Sequence, residues 1–405
     1  MSQHTAPGET EPHKWTFALM LAMLAMLAPF SIDTYLPAFP AVEKSLGASY
    51  LQVQQTLTVY LFTYATMMLW HGAISDAIGR RPVILASLVV FMASSVACAM
   101  ATSIGQLLWF RAIQGLASGA GVVVGRAIVR DRFQDANAQR LMSHVTLFFA
   151  VAPAVAPLIG GAILIFADWH GIFVFLAVIS GALLLLCAWQ LDETLPAANR
   201  QSLHPVVLAK NYWMVLKKPA FQWLGASHAF NFAGLFLYVM AAPVFLIRHL
   251  GLSSQEFAWF FVPAVAGMMT GAFLSGRFAG RLSAPRTIRR AYWIMFAAAV
   301  VNVAYCGLFP PALPWSILPQ MIYCCGMSLA MPSATIILLD MFPKNRGLVS
   351  SLQAFCQTMV GVLIAGMLVP ILSVSPLFLA LGMLVFLTFG VACWRRYRMV
   401  VRKLP

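Results

Sequence analysis

Apolar residues gather in long runs, at about 15–38, 51–72, 82–101, 106–129, 141–166, 172–190, 219–246, 256–276, 291–309, 315–339, 347–372 and 376–394, with short polar connections between them. A helix needs about 20 apolar residues to cross the hydrocarbon core of a bilayer, so the pattern predicts twelve membrane-spanning helices. The first run follows a polar tail ending at Lys14 and stays apolar to Leu36. That is too long for the core of a signal peptide, and no small-x-small cleavage site leads into a soluble domain, so it is read as a true first span. The longest connection, from Leu191 to Pro219, is polar and divides the spans six and six. The expected organisation is an all-α integral membrane protein: an N-terminal tail (1–14), a six-helix bundle (15–190), a linker (191–218), a second six-helix bundle (219–394) and a C-terminal tail (395–405).

Composition removes the soluble alternatives. Of 405 residues 61% are hydrophobic and only 9% charged, with a mean hydropathy of +0.83, where a soluble domain carries roughly 25% charged residues. The net charge of +14 would suggest nucleic acid in a soluble protein, but in a membrane protein the side on which each cation lies decides its meaning. Lys14, the even-numbered connections (Arg80 and Arg81, Arg126 to Arg140, Arg200 to Lys218, Arg277 to Arg290, Lys344 and Arg346) and the C-terminal tail hold all but three of the 26 Lys and Arg. The odd-numbered connections carry only Lys44 and Arg248, and Arg111 falls inside a span. By the positive-inside rule both termini are cytoplasmic, and the basic balance reports topology rather than nucleic-acid binding.

The cysteines, seven in number, include Cys98, Cys187, Cys306 and Cys393 within apolar runs and form no C-x-x-C pair, so neither a metal site nor a disulfide framework is expected. There is no H-E-x-x-H, no G-x-S-x-G and no G-x-x-x-x-G-K-[ST]. Catalysis and ATP-driven transport therefore have no support, no cofactor is expected, and an ion gradient remains as the energy source.

Several short segments carry more specific information. Gly72 to Pro82 reads G-A-I-S-D-A-I-G-R-R-P. Gly72 and Gly79 suit close helix approach and a tight turn, Asp76 suits a helix N-terminus, and Arg80 and Arg81 hold the cytoplasmic side. Phe110-Arg111-Ala112-Ile113-Gln114-Gly115 lies in the fourth run, Ala156-Pro157-Leu158-Ile159-Gly160-Gly161 in the fifth, and Ser31-Ile32-Asp33-Thr34-Tyr35-Leu36-Pro37 closes the first. The connections after the fourth and tenth runs also match. One holds Asp131-Arg132-Phe133 before Arg140 and Ser143, the other Asp340-Met341-Phe342 before Arg346 and Ser350, which points to two homologous halves.

These segments resemble the signatures of the major facilitator superfamily. The first resembles its G-x-L-x-D-R-x-G-R-R loop, with Ala77 in place of the usual Arg, and the second its R-x-x-Q-G motif. The third resembles the G-P-x-x-G-G motif of drug/proton antiporters, with Ala156 for the first glycine. The Asp33-Thr34-Tyr35-Leu36-Pro37 segment, with Gly125 to Asp131, is similar to the Bcr/CflA drug-resistance transporters, and the resemblance covers the whole chain. It implies two bundles rocking about a midplane site in a monomer of the bacterial inner membrane. The implied activity is proton-driven efflux of bicyclomycin-, chloramphenicol- or sulfonamide-like compounds, with drug, protons and membrane lipid as the only partners. Gly72, Asp76, Gly79, Arg80, Arg81, Asp131, Pro157, Gly160 and Gly161 would serve conformational gating. The alternative is proton-coupled transport of a metabolite such as a nucleoside or sugar, which needs a cavity rich in Asn, Gln and charge.

Charge inside the membrane is the most informative chemistry, because an ionised side chain there costs at least about 2.5–3.5 kcal/mol. Of the 12 acids only Asp33 lies within a span. Asp33 and Arg111 each fall about four to nine residues from the outer boundary, roughly 6–14 Å deep, and so share a level. In the fold resembled, spans one, four, seven and ten line the cavity, which would let the two groups face water and each other. Asp33 is read as the proton carrier, with Arg111 setting its affinity; the competing readings are a cap on span one or a fixed ion pair. His228 is a second titratable candidate. Substrate contacts are expected from Met20, Met23 and Met26, from Phe230, Asn231 and Tyr238, and from Tyr323 and Met327, with Gln54, Tyr64, Gln353 and Gln357 as polar candidates. For each of these, plain helix packing is the competing reading.

Overall fold

The computed structural model describes residues 11–133, 135–201, 203–278, 281–342 and 346–402. Residues 1–10, Lys344 and Lys403, and the side chains of Lys14, Asp135, Arg140 and Ser143, lie outside what is described. Helices fill every apolar run. In the first half these are α1 (Glu11–Asp33), the short α2 (Phe39–Leu46), α3 (Tyr50–Ile78), α4 (Arg80–Ala99), α5 (Ile104–Ser118), α6 (Ala120–Arg132), α7 (Asp135–Phe166) and α8 (His170–Gln190). After α9 (Pro205–Leu216) in the linker come α10 (Pro219–Ala242), α11 (Ala258–Phe278), α12 (Ala284–Leu308), α13 (Leu318–Asp340), α14 (Arg346–Leu363), α15 (Val369–Leu372) and α16 (Pro376–Arg402). Among the described residues 10 helices are long and apolar enough to cross a membrane, and the apolar stretch Val151–Phe166 of α7 is shorter. Helix α3 is long but more polar, with Gln52, Gln54 and Gln55 in its first turns. Large apolar side chains such as Trp109, Leu185 and Trp293 stand exposed, as contact with lipid requires.

The local sequence explains where helices start and bend. Ser49 and Gln52 form a reciprocal capping box at the start of α3, with Ser49 N donating to Gln52 Oε1 at 2.9 Å. Ser103 caps α5, its Oγ accepting from Gln106 N at 3.3 Å, while Gln106 Oε1 accepts from Thr102 N at 2.9 Å. After Asp33 the chain leaves the α conformation, turns through Leu36–Ala38 and enters α2, which buries Phe39 and Val42 and ends at Gly47 with φ +58°. The fourth run is two helices that break at Gly119. At Pro243, which has no N–H to offer, α10 loosens into a π-helical turn, Pro243–His249. The C-terminal segment read as a tail is helical through Arg402, because a helix satisfies its own backbone whether or not lipid surrounds it.

Within the first half α3 packs on α5, α4 on α8 and α1 on α7; within the second, α10 packs on α16, and α11 and α12 both pack on α13. The halves meet along α3 with α14 and along α7 with α11. One end of the molecule gathers the even-numbered connections. There the Tyr212 hydroxyl of α9 donates to Leu69 O at 3.0 Å, Phe221 packs on Phe342, and Tyr397 reaches Met341 Sδ at 4.0 Å. The opposite end holds most polar contacts between the halves. Ser254 Oγ donates to Pro37 O at 2.8 Å, Arg248 pairs with Glu43 at 3.3 Å, and Gln54 and Gln55 donate to Ala365 O and Gly366 O at 3.3 and 3.1 Å. At the basic end the linker aside, the halves touch through Arg126 and Ser350 at 3.5 Å.

Candidate functional site

Arg111 enters the first half from α5 and is fully buried. Its Nη1 donates to Ser31 Oγ at 2.7 Å and to Gln114 Oε1 at 2.6 Å, while Nη2 reaches Ser31 O at 3.3 Å. Gln114 is in turn held by Ser95, to whose Oγ its Nε2 donates at 2.7 Å. The guanidinium lies 4.2 Å from the ring centroid of Tyr60, 5.1 Å from that of Tyr35 and 5.7 Å from that of Phe173. Neutral oxygens and ring faces together carry the buried charge. The expected meeting of Arg111 with Asp33 does not occur: no carboxylate among the described residues pairs with Arg111, which faces the helix packing and not water. Asp33 stands two residues beyond Ser31, about 200° further round α1. Turning Ser31 toward α5 therefore turns Asp33 away.

Asp33 instead ends a stripe. Met23, Met26 and Phe30 are half-exposed while Leu21, Ala22, Leu24, Ala25, Leu27 and Ala28 around them are buried. The spacing from Met23 to Met26, Phe30 and Asp33 is three, four and three residues, one face of a helix. The Asp33 carboxylate is 5% exposed and makes no hydrogen bond or ion pair among the described residues. It caps nothing and belongs to no fixed ion pair. Phe30, which the sequence reading left out, completes the stripe and was identifiable by that spacing.

The remaining substrate candidates divide. Tyr64 is half-buried with its ring stacked on Tyr60 at 6.3 Å, and Gln357 is half-buried on α14. Gln54 serves the contact between halves, and Met20 and Gln353 are buried. Asn231, Tyr238, Tyr323 and Met327 are corrected to packing positions inside the second half, all of them buried. Tyr238 Oη accepts from Asn302 Nδ2 at 2.8 Å, and Tyr323 Oη donates to Asn231 O at 2.9 Å. Asn231 Nδ2 donates to Tyr292 Oη at 2.9 Å, and that hydroxyl donates to Gly390 O at 3.2 Å. Polar tips in an apolar interior must find partners, and here they tie α10 to α12, α13 and α16. His228 is buried on α10 as well, and Phe230 is half-buried against Phe386 and Phe389 of α16.

The loop between α3 and α4 forms a charge network with an unexpected member. Arg80 pairs with Asp76 at 2.5 Å, donates to Ser75 Oγ at 2.6 Å, and donates through Nε to Asp131 Oδ2 at 3.0 Å. Asp131 also accepts from Thr194 Oγ1 at 3.2 Å, so the ends of α3 and α6 and the segment after α8 are joined. The helix N-terminus is occupied by Glu193, not by Asp76. Glu193 Oε1 accepts from Arg80 N and Leu195 N, both at 2.9 Å, and Oε2 from Arg81 N at 3.3 Å. Arg81 Nη2 donates to Ala188 O at 2.7 Å, near the C-terminus of α8. Gly79 is required on two counts: its φ is +109°, and a Cβ there would overlap Glu193 Oε2. Gly72 is not, since a Cβ would meet only Val123 at 3.6 Å.

Partial burial pushes the Glu193 carboxyl up, but the N–H groups of Leu195, Arg80 and Arg81 outweigh it and hold the group below the ordinary carboxylate range. A depressed carboxylate stabilises the fold above its unfolded pKa, and the benefit disappears as pH falls through the lowered value. Glu193→Gln is therefore expected to lower stability at neutral pH by about 1 kcal/mol, the usual cost of a lost helix cap. The difference should close in acid. Thermal unfolding of both proteins in detergent at the two pH values checks this, and a deficit that persists in acid would assign the effect to shape rather than charge.

In α7 the Pro157-Leu158-Ile159-Gly160-Gly161 segment lies between two stretches of backbone, one from each half. A Cβ on Gly160 would collide with Thr34 O of the same half, while one on Gly161 would stand 2.7 Å from Ser254 O and 3.0 Å from Gln255 Cα of the other half. Pro157 is buried one turn before them.

The profile described as Major Facilitator Superfamily matches residues 21–365. The chain is 33% identical over 284 residues to the "Bicyclomycin resistance protein homolog" of Haemophilus influenzae, covering 70% of this chain and 71% of that one. It is 29% identical over 343 residues to the "Multidrug resistance protein MdtL" of Escherichia coli, covering 84% and 85%. Its fold is similar to the inward-facing, occupied structure of a bacterial homologue of the human lysosomal transporter Spinster, with TM-score 0.74, 18% identity and 98% of each chain covered.

Proposed function

Because the chain belongs to the Major Facilitator Superfamily, we propose that it is a twelve-span proton antiporter that exports small amphipathic drugs across a bacterial inner membrane. The observation that carries this reading is Asp33, an unpaired acid at the end of the half-exposed Met23–Met26–Phe30 stripe. A carboxylate without a fixed partner is free to exchange a proton, and the flexible thioethers and the ring beside it adapt to differing ligands. The names of the two relatives, bicyclomycin resistance and multidrug resistance, support drugs as the cargo. The distribution of Lys and Arg supports cytoplasmic termini and a cytoplasmic basic end.

The mechanism follows alternating access. The polar contacts at the end away from the basic connections hold the halves together there, so this conformation is read as facing inward. Drug enters along α1 as Asp33 loses its proton to the cytoplasm, and outward opening breaks those contacts. Protonation of Asp33 from outside then accompanies drug release, and the return step carries the proton in. With Arg111 turned away, the stripe holds one acid and no base, so neutral and monocationic compounds fit it better than anions or dications.

The test is proton flux in proteoliposomes that enclose a pH dye, under an imposed pH gradient, challenged with neutral, monocationic and dicationic antibiotics and with nucleosides and sugars. Proton movement evoked by the first two groups is the expected result. A response confined to nucleosides or sugars would transfer the reading to a metabolite carrier, and silence toward every compound would overturn proton exchange.

A further inference from the structure

At the basic end the two halves treat corresponding places differently. In the first half α4 packs on α8, and the arginines at the start of α4 meet the protein's own carboxylates, Asp76, Asp131 and Glu193. In the second half α12 packs on α16 in the same way. There Ser283, Pro285, Arg286 and Arg289 from the start of α12, with Arg398 from α16, line an open cleft of about 350 Å³. No acid enters it. Among the described residues the side chains of Arg286, Arg289 and Arg398 form no ion pair or hydrogen bond, and Asp340, the acid at the end of α13, is engaged by Arg346 at 3.0 Å. Where the first half sends Glu193 back from the end of its sixth spanning helix, the second half presents Arg398.

Three guanidinium groups converging without a counter-charge repel one another, and an anion placed among them removes that cost while accepting several charge-assisted hydrogen bonds. Guanidinium suits a tetrahedral oxyanion because its N–H groups form a planar fork that grips two oxygens at once. The start of α12 adds the positive end of a helix dipole, and Ser283 adds a hydroxyl donor. The cleft opens at the level where a span meets the cytoplasmic headgroup layer, the place where basic pockets between helices take lipid phosphates.

We propose that the Arg286–Arg289–Arg398 cleft binds a phosphate ester, supplied either by the headgroup of an anionic phospholipid or by a soluble phosphate. The occupant does in the second half what Glu193 does in the first: it neutralises the start of α12 and ties α12 to α16. The site does not depend on what the transporter carries.

The experiment is thermal unfolding of the full-length protein in neutral detergent, titrated separately with phosphatidylglycerol, phosphatidylcholine and inorganic phosphate. The native protein is compared with Arg286→Gln/Arg289→Gln/Arg398→Gln and with Arg395→Gln/Arg402→Gln, which removes charge from the same end outside the cleft. Phosphatidylglycerol is expected to raise the midpoint of the native and control proteins, and phosphatidylcholine to leave it unchanged. The triple variant should need at least about tenfold more phosphatidylglycerol for the same rise, because each cation removed weakens the attraction to an anionic headgroup. A response to phosphatidylglycerol alone identifies the headgroup as the source; a response to inorganic phosphate with the same sensitivity to the triple substitution identifies a soluble phosphate. Equal responses of the native and triple-variant proteins to both anions, or equal losses in triple and control variants, would overturn the site. So would no response to either anion.

Discussion

Asp33→Asn is expected to reduce drug-evoked proton flux in proteoliposomes to the level of protein-free vesicles while drug binding survives. Asparagine keeps the size and polarity of the side chain but has no proton to exchange at any accessible pH. Because the Asp33 carboxylate makes no hydrogen bond among the described residues, no hydrogen bond of theirs is lost with it, and the variant should fold with native stability. That separates it from Arg111. A substitution of Arg111 breaks three hydrogen bonds and contacts with three rings, so its loss of transport would come with a loss of stability. Binding of a fluorescent or radiolabelled drug to purified Asp33→Asn, set beside its proton flux, provides the two readouts. Full coupling in the variant would move the proton to another group, with His228 and Asp76 the next to examine. Loss of both binding and flux, with stability intact, would make Asp33 a substrate contact rather than the proton carrier.

The division between what the chain disclosed and what it concealed follows from the solvent it lives in. In lipid, every long apolar run must become a helix, because no water is present to satisfy an open backbone, and so the helix positions were legible. Asp33 was legible because a charge within a span has a cost that few sequences bear without purpose. The azimuth of each side chain was not. Around a soluble helix, polarity marks the outward face; around α10 or α13 the lipid side, the packed side and the cavity side are all apolar. Tyr238 and Tyr323 therefore read as well for a cavity as for the interior where they sit. Depth arithmetic put Arg111 and Asp33 on one level and was silent on rotation, which Ser31 decides. Glu193 was hidden by distance along the chain, since its partners at Arg80 and Arg81 belong to a loop more than a hundred residues earlier. The signal available was an acid leaving the sixth run at the same end as Arg80 and Arg81.

Gly161→Val is expected to shift the conformational equilibrium, where Gly160→Val is expected only to destabilise the fold. Both positions lie against backbone, but against different partners. The oxygen that Gly160 faces belongs to Thr34 in its own half, a contact that rigid rocking of the halves preserves in every state. The oxygen and Cα that Gly161 faces belong to Ser254 and Gln255 of the other half, at the end where Ser254 also bonds Pro37 and Glu43 pairs with Arg248. That contact exists only while this end is shut. A valine forced into it costs about 1–3 kcal/mol, the usual penalty of overpacking, which lowers the ratio of shut to open molecules by about five- to 150-fold relative to the native protein. Hydrogen–deuterium exchange read by mass spectrometry should then rise at 36–47 and 247–257, the segments that meet at this end, and transport should slow because the cycle must pass through the state now disfavoured. Gly160→Val should instead lower the unfolding temperature with no selective change in those segments. Unaltered exchange at both segments in Gly161→Val, with transport intact, would show that α7 and the chain before α11 separate less during the cycle than a gate requires, and the gating role of Gly161 would fall.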